Sequence, residues 1–353
     1  MACREPEKMK PITFLFFLPL IFLILCGTAF ADVSIDAAHF PDEQFRTYIK
    51  SEFDQDSNDQ LSEEEIAAIT YVYVSSQSIS SVQGIELFPS LEVLDCAGNQ
   101  LTTLDVSKNT RLRSLSCQRN QLTNLDLSGN PGLRDLYCDQ NQLTALDLSS
   151  NRELSKLSCN RMQLSSLDVT NAPSLIQLEC TGNRISSLDL SCNKELKQLF
   201  CGENQLTALD LHSNARLERM NCCENQISSL DLMMNTALKW VKCDTNQITT
   251  LDVSMIPTLE NLYCENNRLT SLVFGEHPLL SDMFCYNNQL GTIDVSGCRI
   301  LCMYVDLWDR QTYTTGTAPT YSYSYWSNQP GDILTDTSVT VIAGDIVSKP
   351  IAE

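Results

Sequence analysis

The chain has 353 residues, of which 43% are hydrophobic, so it can bury a sizeable core, and disorder over its whole length is excluded. Its 44 acidic residues outnumber its 24 basic residues and give a formal net charge of -20, which argues against nucleic acids and anionic membrane surfaces as partners. Only three histidines are present, far apart in sequence, which leaves little material for histidine-based catalysis or a zinc site.

The first 31 residues have the features of a signal peptide. Residues 12–25 form an uncharged apolar run that follows Lys10, and Ala29-Phe30-Ala31 is a small-x-small cleavage pattern. We therefore expect cleavage after Ala31 and a secreted or cell-surface protein. The alternative is an uncleaved membrane anchor, because the apolar run approaches the length that spans a bilayer.

Residues 32–68 are predicted to form a helical cap that carries a calcium-binding loop of the EF-hand type. The spacing of Phe45, Ile49 and Phe53 indicates an entering helix. Asp59 stands where such loops usually have glycine, and no second loop is visible as a pairing partner. The alternative is a cap that does not bind calcium. The candidate calcium ligands in residues 54–65 are Asp54, Asp56, Asn58, Gln60 through its carbonyl, Ser62 through water, and Glu65.

Cysteine then recurs every 21 residues, and the unit reads L-x-x-L-x-C-x-x-N-x-L-T-x-L-D-[LV]-S-x-N-x-x. This is a leucine-rich-repeat pattern with cysteine in a core leucine position. One repeat, here called a rung, cannot bury its leucines alone. Stacked rungs therefore form a solenoid, with a parallel sheet on its concave face and short turns or 3-10 segments on its convex face. We predict about twelve rungs over residues 69–311, of which the two end rungs are atypical.

The segment Leu94-Asp95-Cys96-Ala97-Gly98-Asn99-Gln100-Leu101 resembles the internalin-type bacterial surface proteins, which carry 21-residue repeats with the same cysteine ladder. The resemblance covers roughly residues 40–310. It implies a secreted or surface-exposed binding protein whose repeats are preceded by an EF-hand-like helical unit.

The ladder cysteines are interpreted as buried apolar core residues rather than as disulfides, metal ligands or catalytic thiols. Equivalent side chains on stacked rungs point the same way, which disfavours disulfide geometry, and no basic partner recurs beside them to activate a thiol. Outside the ladder, Cys192 and Cys223 are expected near the surface, while Cys298 and Cys302 either bridge or stay free. The ladder comprises Cys96, Cys117, Cys138, Cys159, Cys180, Cys201, Cys222, Cys243, Cys264 and Cys285.

Two polar columns repeat with the same period. An asparagine column is predicted to satisfy buried backbone groups at the bend, with a looser turn where Met162 interrupts it. An aspartate column is predicted to cap turns through side-chain bonds to backbone N–H groups, because a feature that repeats in every rung indicates a scaffold rather than a local site. Its members are Asp105, Asp126, Asp147, Asp168, Asp189, Asp210, Asp231, Asp252 and Asp294.

The strand positions that do not repeat are expected to face the concave surface. Aromatic residues become more frequent there toward the C-terminal half, with acidic residues beside them, and such rings on a rigid sheet commonly anchor ligands. The alternative is a face partly covered by the C-terminal segment. The candidate ligand-binding residues are Phe200, Trp240, Tyr263, Phe284, Tyr286, Glu203, Glu224, Asp244 and Glu265.

Residues 312–353 lack the repeat. Alternation over residues 321–326 and the apolar run over residues 339–342 predict two strands, so this segment is a small β cap or a shortened module.

Together these features favour non-enzymatic recognition of an extracellular protein or glycan. The alternative is a structural, calcium-linked component of an extracellular assembly. No nucleophile, base and orienting group occur together as an enzyme would require.

Overall fold

The computed structural model describes residues 32–290 and Cys298 in full, and the backbone of six further strands between residues 292 and 342. The predicted signal peptide lies outside the described residues, as do the side chains of the predicted C-terminal cap or module. No helix among the described residues is long and apolar enough to cross a bilayer.

The N-terminal cap consists of β1 (Val33–Ser34), α1 (Glu43–Phe53), β2 (Gln60–Leu61) and α2 (Glu63–Ala68). Helix α1 begins at Asp42, whose carboxylate accepts the backbone N–H groups of Gln44 and Phe45 at 3.0 Å. Its apolar side buries Phe45, Ile49 and Phe53. Helix α2 begins with a capping box between Ser62 and Glu65.

The rest of the described chain is a stack of short strands joined by turns, with one 3-10 segment, Ile85–Leu87. Nearly every strand has three residues, because the chain bends at the asparagine that follows the ladder cysteine. The strands are β3 Tyr71–Tyr73, β4 Val93–Asp95, β5 Ser114–Ser116, β6 Asp135–Tyr137, β7 Lys156–Ser158, β8 Gln177–Glu179, β9 Gln198–Phe200, β10 Arg219–Asn221, β11 Trp240–Lys242, β12 Thr250–Asp252, β13 Asn261–Tyr263, β14 Ser271–Val273, β15 Asp282–Phe284, β16 Thr292–Asp294, β17 Cys302–Val305, β18 Thr312–Thr314, β19 Ser322–Tyr325, β20 Ile333–Leu334 and β21 Val341–Ile342.

In the described backbone, the main sheet has the order β20-β19-β17-β15-β13-β11-β10-β9-β8-β7-β6-β5-β4-β3. All its neighbours pair in parallel except β19 and β20, and Leu94, Leu115 and Leu136 face one another directly in register. The leucine-rich-repeat solenoid predicted from the period is therefore confirmed. Strands β19 and β21 lie within the two C-terminal stretches predicted to be strands.

The core runs along the stack as a column of fully buried leucines beside the ladder cysteines. Asparagines tie successive rungs together at the bend. The Asn120 amide donates to the carbonyls of Cys117 in its own rung and Cys96 in the previous rung, both at 3.0 Å, and accepts from Leu101 N–H at 2.9 Å. The other members of this column make equivalent bonds, as predicted. They are Asn99, Asn141, Asn183, Asn204, Asn225, Asn246, Asn267 and Asn288.

The turn at Met162 is looser, as predicted. Met162 is buried, but its side chain has no amide group that could donate or accept a hydrogen bond. The neighbouring hydrogen bond from Gln163 N–H to the Leu143 carbonyl is 3.2 Å long, whereas the equivalent bond from Gln142 N–H to the Leu122 carbonyl is 2.8 Å long. The aspartate column also behaves as predicted over the described side chains. Asp105 Oδ1, for example, accepts from Ser107 N–H two residues later at 2.9 Å.

A second asparagine column, to which the sequence analysis assigned no role, is fully buried in six of the rungs. The Nδ2 group of Asn130 donates to the carbonyls of Val106 and Asn109, which belong to the previous rung. The Oδ1 atoms of this column have no hydrogen-bond partner. The members are Asn109, Asn130, Asn151, Asn193, Asn214 and Asn235.

One expectation was wrong. Cys223, expected near the surface, is only 4% exposed, because its Sγ packs over Gly202 of the previous rung; a Cβ on that glycine would lie 3.0 Å from the sulfur. Within the loop of residues 54–65, β2 pairs antiparallel with β1, a two-residue strand of the cap. Cys192 is exposed, as expected.

Candidate ligand-binding face

The first and third residues of each main-sheet strand point away from the core, and we call the surface that they form the exposed sheet face. In β11, Val241 is fully buried, whereas Trp240 and Lys242 on either side of it are partly exposed. This alternation follows from the two-residue period of a strand. It places the non-repeating residues on one continuous surface.

Four of the predicted ligand-binding aromatics form a row on this face. Phe200 and Trp240 have ring centroids 6.2 Å apart, Trp240 and Tyr263 are 5.9 Å apart, and Tyr263 stacks on Phe284 at 5.1 Å. The Arg219 guanidinium lies 5.3 Å from the Trp240 ring centroid. We call Phe200, Trp240, Tyr263 and Phe284 the aromatic row. All four rings are partly exposed, so a continuous apolar strip is presented to solvent.

The four predicted acidic residues do not form one group. Asp244 and Glu265 occupy the slot directly after the ladder cysteine and are 7% and 9% exposed. Glu203 and Glu224 lie one position later in their rungs, at left-handed turn residues with φ of 53° and 51°, and are exposed. Tyr286 occupies the same slot as Asp244 and Glu265 and is half-buried.

The buried pair is electrostatically strained. Asp244 Oδ1 and Glu265 Oε2 have no hydrogen-bond partner, and the nearest cation, Lys242, places its Nζ 3.7 Å from Asp244 Oδ1. Burial, with a further contribution from the Asp244 charge, raises the pKa of Glu265 to about 7. A substantial fraction of Glu265 is therefore neutral near neutral pH.

A polar groove lies on the N-terminal half of the same face, and the sequence analysis missed it. The groove has a volume of about 730 Å³, with Arg119 and Arg161 among its lining residues. In it, Ser158 Oγ donates to Asp139 Oδ1 at 2.7 Å, and Asn160 Nδ2 donates to Glu179 at 3.1 Å. The available signal was the run of polar residues in the slots around the ladder cysteines of these rungs.

The ladder thiols are buried, and burial raises their pKa. Burial raises the pKa of the Cys180 thiol to about 12, and it raises the pKa of the other ladder thiols from Cys96 to Cys264 as well. Burial therefore disfavours the thiolate form at these positions.

The predicted calcium loop brings its carboxylates together. Oxygens of Asp54, Asp56 and Glu65 lie within 4.8 Å of one another. Asp54 accepts from the backbone N–H groups of Asn58 and Asp59 at 3.0 Å. Asp59 adopts φ of 64°, the left-handed conformation that the missing glycine would have favoured.

The remaining predicted ligands are engaged within the loop. Asn58 donates to Asp56 and accepts from Gln60 N–H, and the Ser62 hydroxyl donates to Glu65. The donor set consists of oxygens on a tight loop, and this arrangement fits a hard cation such as calcium.

No protein-family model matches the chain. Over 71 residues it is 38% identical to Internalin J of Listeria monocytogenes, a match that covers 20% of this chain and 8% of that protein. The structure of the functional domain of InlJ from Listeria monocytogenes, which includes a cysteine ladder, aligns with a TM-score of 0.75 at 34% identity, over 82% of this chain and 63% of that chain. The chain thus spans less than two thirds of either relative. The internalin InlF of the same organism shares the fold, with a TM-score of 0.60 at 21% identity over 79% of this chain and 92% of that chain.

Proposed function

Because the chain is an internalin-type leucine-rich-repeat protein with a cysteine ladder, we propose that it is a secreted or cell-surface protein that binds an extracellular protein through the exposed sheet face. The role is recognition without catalysis. The observation that carries this proposal is the aromatic row, which presents four rings side by side on a rigid sheet.

Aromatic rings on the exposed sheet face contribute more to binding than to folding. Core positions of a solenoid are constrained to repeat, whereas outward strand positions are free to vary. Large apolar side chains held together at free positions contribute little to folding when exposed, but they release ordered water when a partner covers them. Partly exposed aromatic clusters of this kind are typical anchors of protein interfaces.

The test is a binding screen of the secreted chain against extracellular proteins, with a glycan array in parallel. Replacing Trp240 and Tyr263 by alanine should weaken binding of the captured protein by about 2 kcal/mol or more, which is roughly 30-fold in Kd. The melting temperature should change little, since neither ring lies in the core.

A matched control is Tyr137→Ala. Tyr137 occupies the same slot as Tyr263 six rungs earlier, outside the aromatic row, and its loss should leave affinity unchanged. Normal binding by the double variant would place the interface elsewhere. Unfolding of the double variant would show that the rings serve packing, and capture of glycans alone would replace a protein partner by a carbohydrate.

We also propose that residues 54–65 bind calcium weakly, in the extracellular range of about 10⁻⁴–10⁻³ M. A ligand that binds only the folded state stabilises it, so millimolar calcium should raise the melting temperature relative to chelator. Asp56→Asn should abolish this shift without a large change in the chelated melt, because Asp56 is exposed. Asp105→Asn, outside the loop, serves as the control, and identical wild-type melts in calcium and chelator would refute the proposal.

A further inference from the structure

A buried histidine occupies one position of the second asparagine column. His277 lies in the slot that Asn235 fills two rungs earlier, and it is fully buried. Its imidazole ring packs edge-to-face against Phe274, with the ring centroids 5.5 Å apart. Asn235 donates its amide N–H groups to carbonyls of the previous rung and never carries a charge. An imidazole in the same slot differs from asparagine because it can take up a proton.

The hydrogen bonding of His277 requires the neutral ring. Nε2 accepts a hydrogen bond from the Gly275 backbone N–H at 3.2 Å, so this nitrogen carries no proton in the folded state. Protonation would place an Nε2–H group against the Gly275 N–H group, and two donors would then face each other without an acceptor. Gly275 also packs closely against the previous rung, where a Cβ would collide with the Ser254 carbonyl, and this packing limits how far its backbone can shift.

The surroundings of the ring do not compensate for a buried positive charge. Nδ1 is buried and makes no hydrogen bond of normal geometry. Within the described residues, the titratable groups on the three turns that stack here are Asp252 before it, Glu276 beside it and Cys298 after it. The two carboxyl groups are exposed, and the thiol is buried. Burial lowers the pKa of His277 and outweighs the Ile256 backbone and the Glu276 charge, which favour protonation.

We propose that His277 makes this part of the solenoid acid-sensitive: its protonation opens the turn of residues 274–280 and loosens the neighbouring strands β13 and β15, which carry Tyr263 and Phe284 of the aromatic row. The opening is local, because each rung of a solenoid contacts only its neighbours. A partner held on the exposed sheet face is then released in acid. This consequence rests on the proposed function, whereas the opening itself does not.

Acid acts on this turn through the difference in proton uptake between its closed and open states. An exposed histidine has a pKa of about 6.5, and the closed turn disfavours protonation, so the open state takes up the proton first as the pH falls. The opening equilibrium constant should therefore rise below about pH 6.5, by up to about tenfold per pH unit, until the closed state is itself protonated. Glu265, with a pKa of about 7, acts in the opposite direction, so the histidine must be isolated by a substitution.

The experiment is hydrogen–deuterium exchange of the secreted chain between about pH 7.5 and about pH 4.5, read by mass spectrometry of peptides that cover residues 271–290. His277→Asn restores the amide of the column and cannot titrate. Its protection should match that of the wild type within about twofold at the upper pH and exceed it by about tenfold or more at the lower pH. Comparison at equal pH cancels both the intrinsic pH dependence of exchange and the contribution of Glu265. His212→Asn, which removes an exposed histidine, is the matched control and should behave as the wild type.

An NMR titration of the wild-type histidine rings keeps the test independent of how well the variant folds. The pKa of His212 is raised by its hydrogen bond with Asp210, so its ring should become protonated above pH 6.5. The His277 ring should remain neutral at pH 6.5 and become protonated only as the turn opens at lower pH. Protonation of His277 at pH 6.5 or above in the folded chain overturns the proposal.

The outcomes separate this inference from the proposed function. Equal loss of protection in the wild type and in His277→Asn overturns the acid-sensitive turn, even if the aromatic row captures a protein. A loss spread evenly over all rungs also overturns it, because the transition is then global unfolding. A loss confined to residues 271–290 and abolished by His277→Asn supports it, even if the protein screen fails. For a captured partner, release at about pH 5 from the wild type and retention by His277→Asn supports the release step, and retention by both overturns that step.

Discussion

At the scale of single residues, the cysteines divide sharply by exposure. The ladder thiols are buried among leucines, where burial raises their pKa, whereas Cys192 lies on an exposed turn. The thiolate is the reactive form, so reactivity depends on both ionisation and access. Among the cysteines from Cys96 to Cys264, Cys192 therefore differs from the others because its thiol is exposed to solvent.

We predict that iodoacetamide labels Cys192 of the native chain and leaves the ladder thiols from Cys96 to Cys264, together with Cys223, unlabelled until the chain is unfolded. The measurement is peptide mass spectrometry before and after denaturation. Cys192→Ser should remove the native label from this region. Detection of ladder cysteines as disulfide-linked peptides would contradict the stacking argument.

Residue-scale prediction from sequence was accurate where a feature repeats and poor where it does not. The bonding of Asn120 and Asp105 could be predicted, because nine rungs show the same residue in each of these two positions. The burial of Cys223, Asp244 and Glu265 could not, because exposure in the slot after the ladder cysteine depends on the side chains of the rungs above and below. Ala97 in that slot is partly exposed, for example.

At the scale of elements, the cap closes the first edge of the main sheet. Tyr48 in α1 accepts a hydrogen bond from Tyr73 N–H of β3 at 2.9 Å, and Asp42 accepts from Ser80 N–H at 2.8 Å. An uncovered edge strand would offer unpaired backbone groups to other chains. The helices of the cap were predictable from their apolar spacing. Strand β1 was not, because it has only two residues and depends on the loop for its pairing.

The interrupted turn at Met162 yields a stabilising substitution. Asn at this position should regain the bonds of the column, to the carbonyls of Cys159 and Cys138 and from Leu143 N–H. Since each net hydrogen bond contributes about 1 kcal/mol and some apolar burial is lost, we expect the free energy of unfolding to rise by about 1 kcal/mol. Urea denaturation measures this change.

The reciprocal control is Asn120→Met, which copies the Met162 arrangement into an intact turn. It should lower the free energy of unfolding by about 3 kcal/mol, because buried backbone groups lose their partners. If Met162→Asn is destabilising, the local backbone around residue 162 has diverged too far from the other turns for the amide to reach its partners.

At the scale of the whole molecule, the stacking that builds the core also stacks charge. The aspartate column places a carboxylate in nearly every rung, and the charge of one member can oppose ionisation of the next, as Asp126 does by acting to raise the pKa of Asp105. Hydrogen bonds from the turn outweigh this repulsion, so the pKa of each column member from Asp105 to Asp210 is lowered. The fold thus tolerates a column of like charges because every member from Asp105 to Asp252 caps a turn.

This balance predicts how the molecule responds to acid. A carboxylate whose pKa is lower in the folded state stabilises the fold above its unfolded pKa, and that contribution is lost as pH falls through the folded pKa. The free energy of unfolding should therefore fall as the pH is lowered below 3.8, the ordinary pKa of aspartate, because the column becomes protonated. Glu265 has the opposite effect on stability. Because its pKa is raised in the folded state, its ionised form lowers the free energy of unfolding. This effect is confined to pH values above the ordinary pKa range of glutamate.

The triple variant Asp126→Asn, Asp147→Asn, Asp189→Asn isolates the contribution of the column. Asparagine keeps an oxygen that can accept the turn N–H but carries no charge, so the variant should be less stable than the wild type at about pH 5 and should match it near pH 2, where the wild-type carboxyl groups are protonated. Urea denaturation at the two pH values measures the difference. A deficit of equal size at both would mean that the carboxylates act through shape alone. A variant more stable than the wild type near pH 5, with the gain abolished by added salt, would mean that repulsion along the column outweighs the turn bonds.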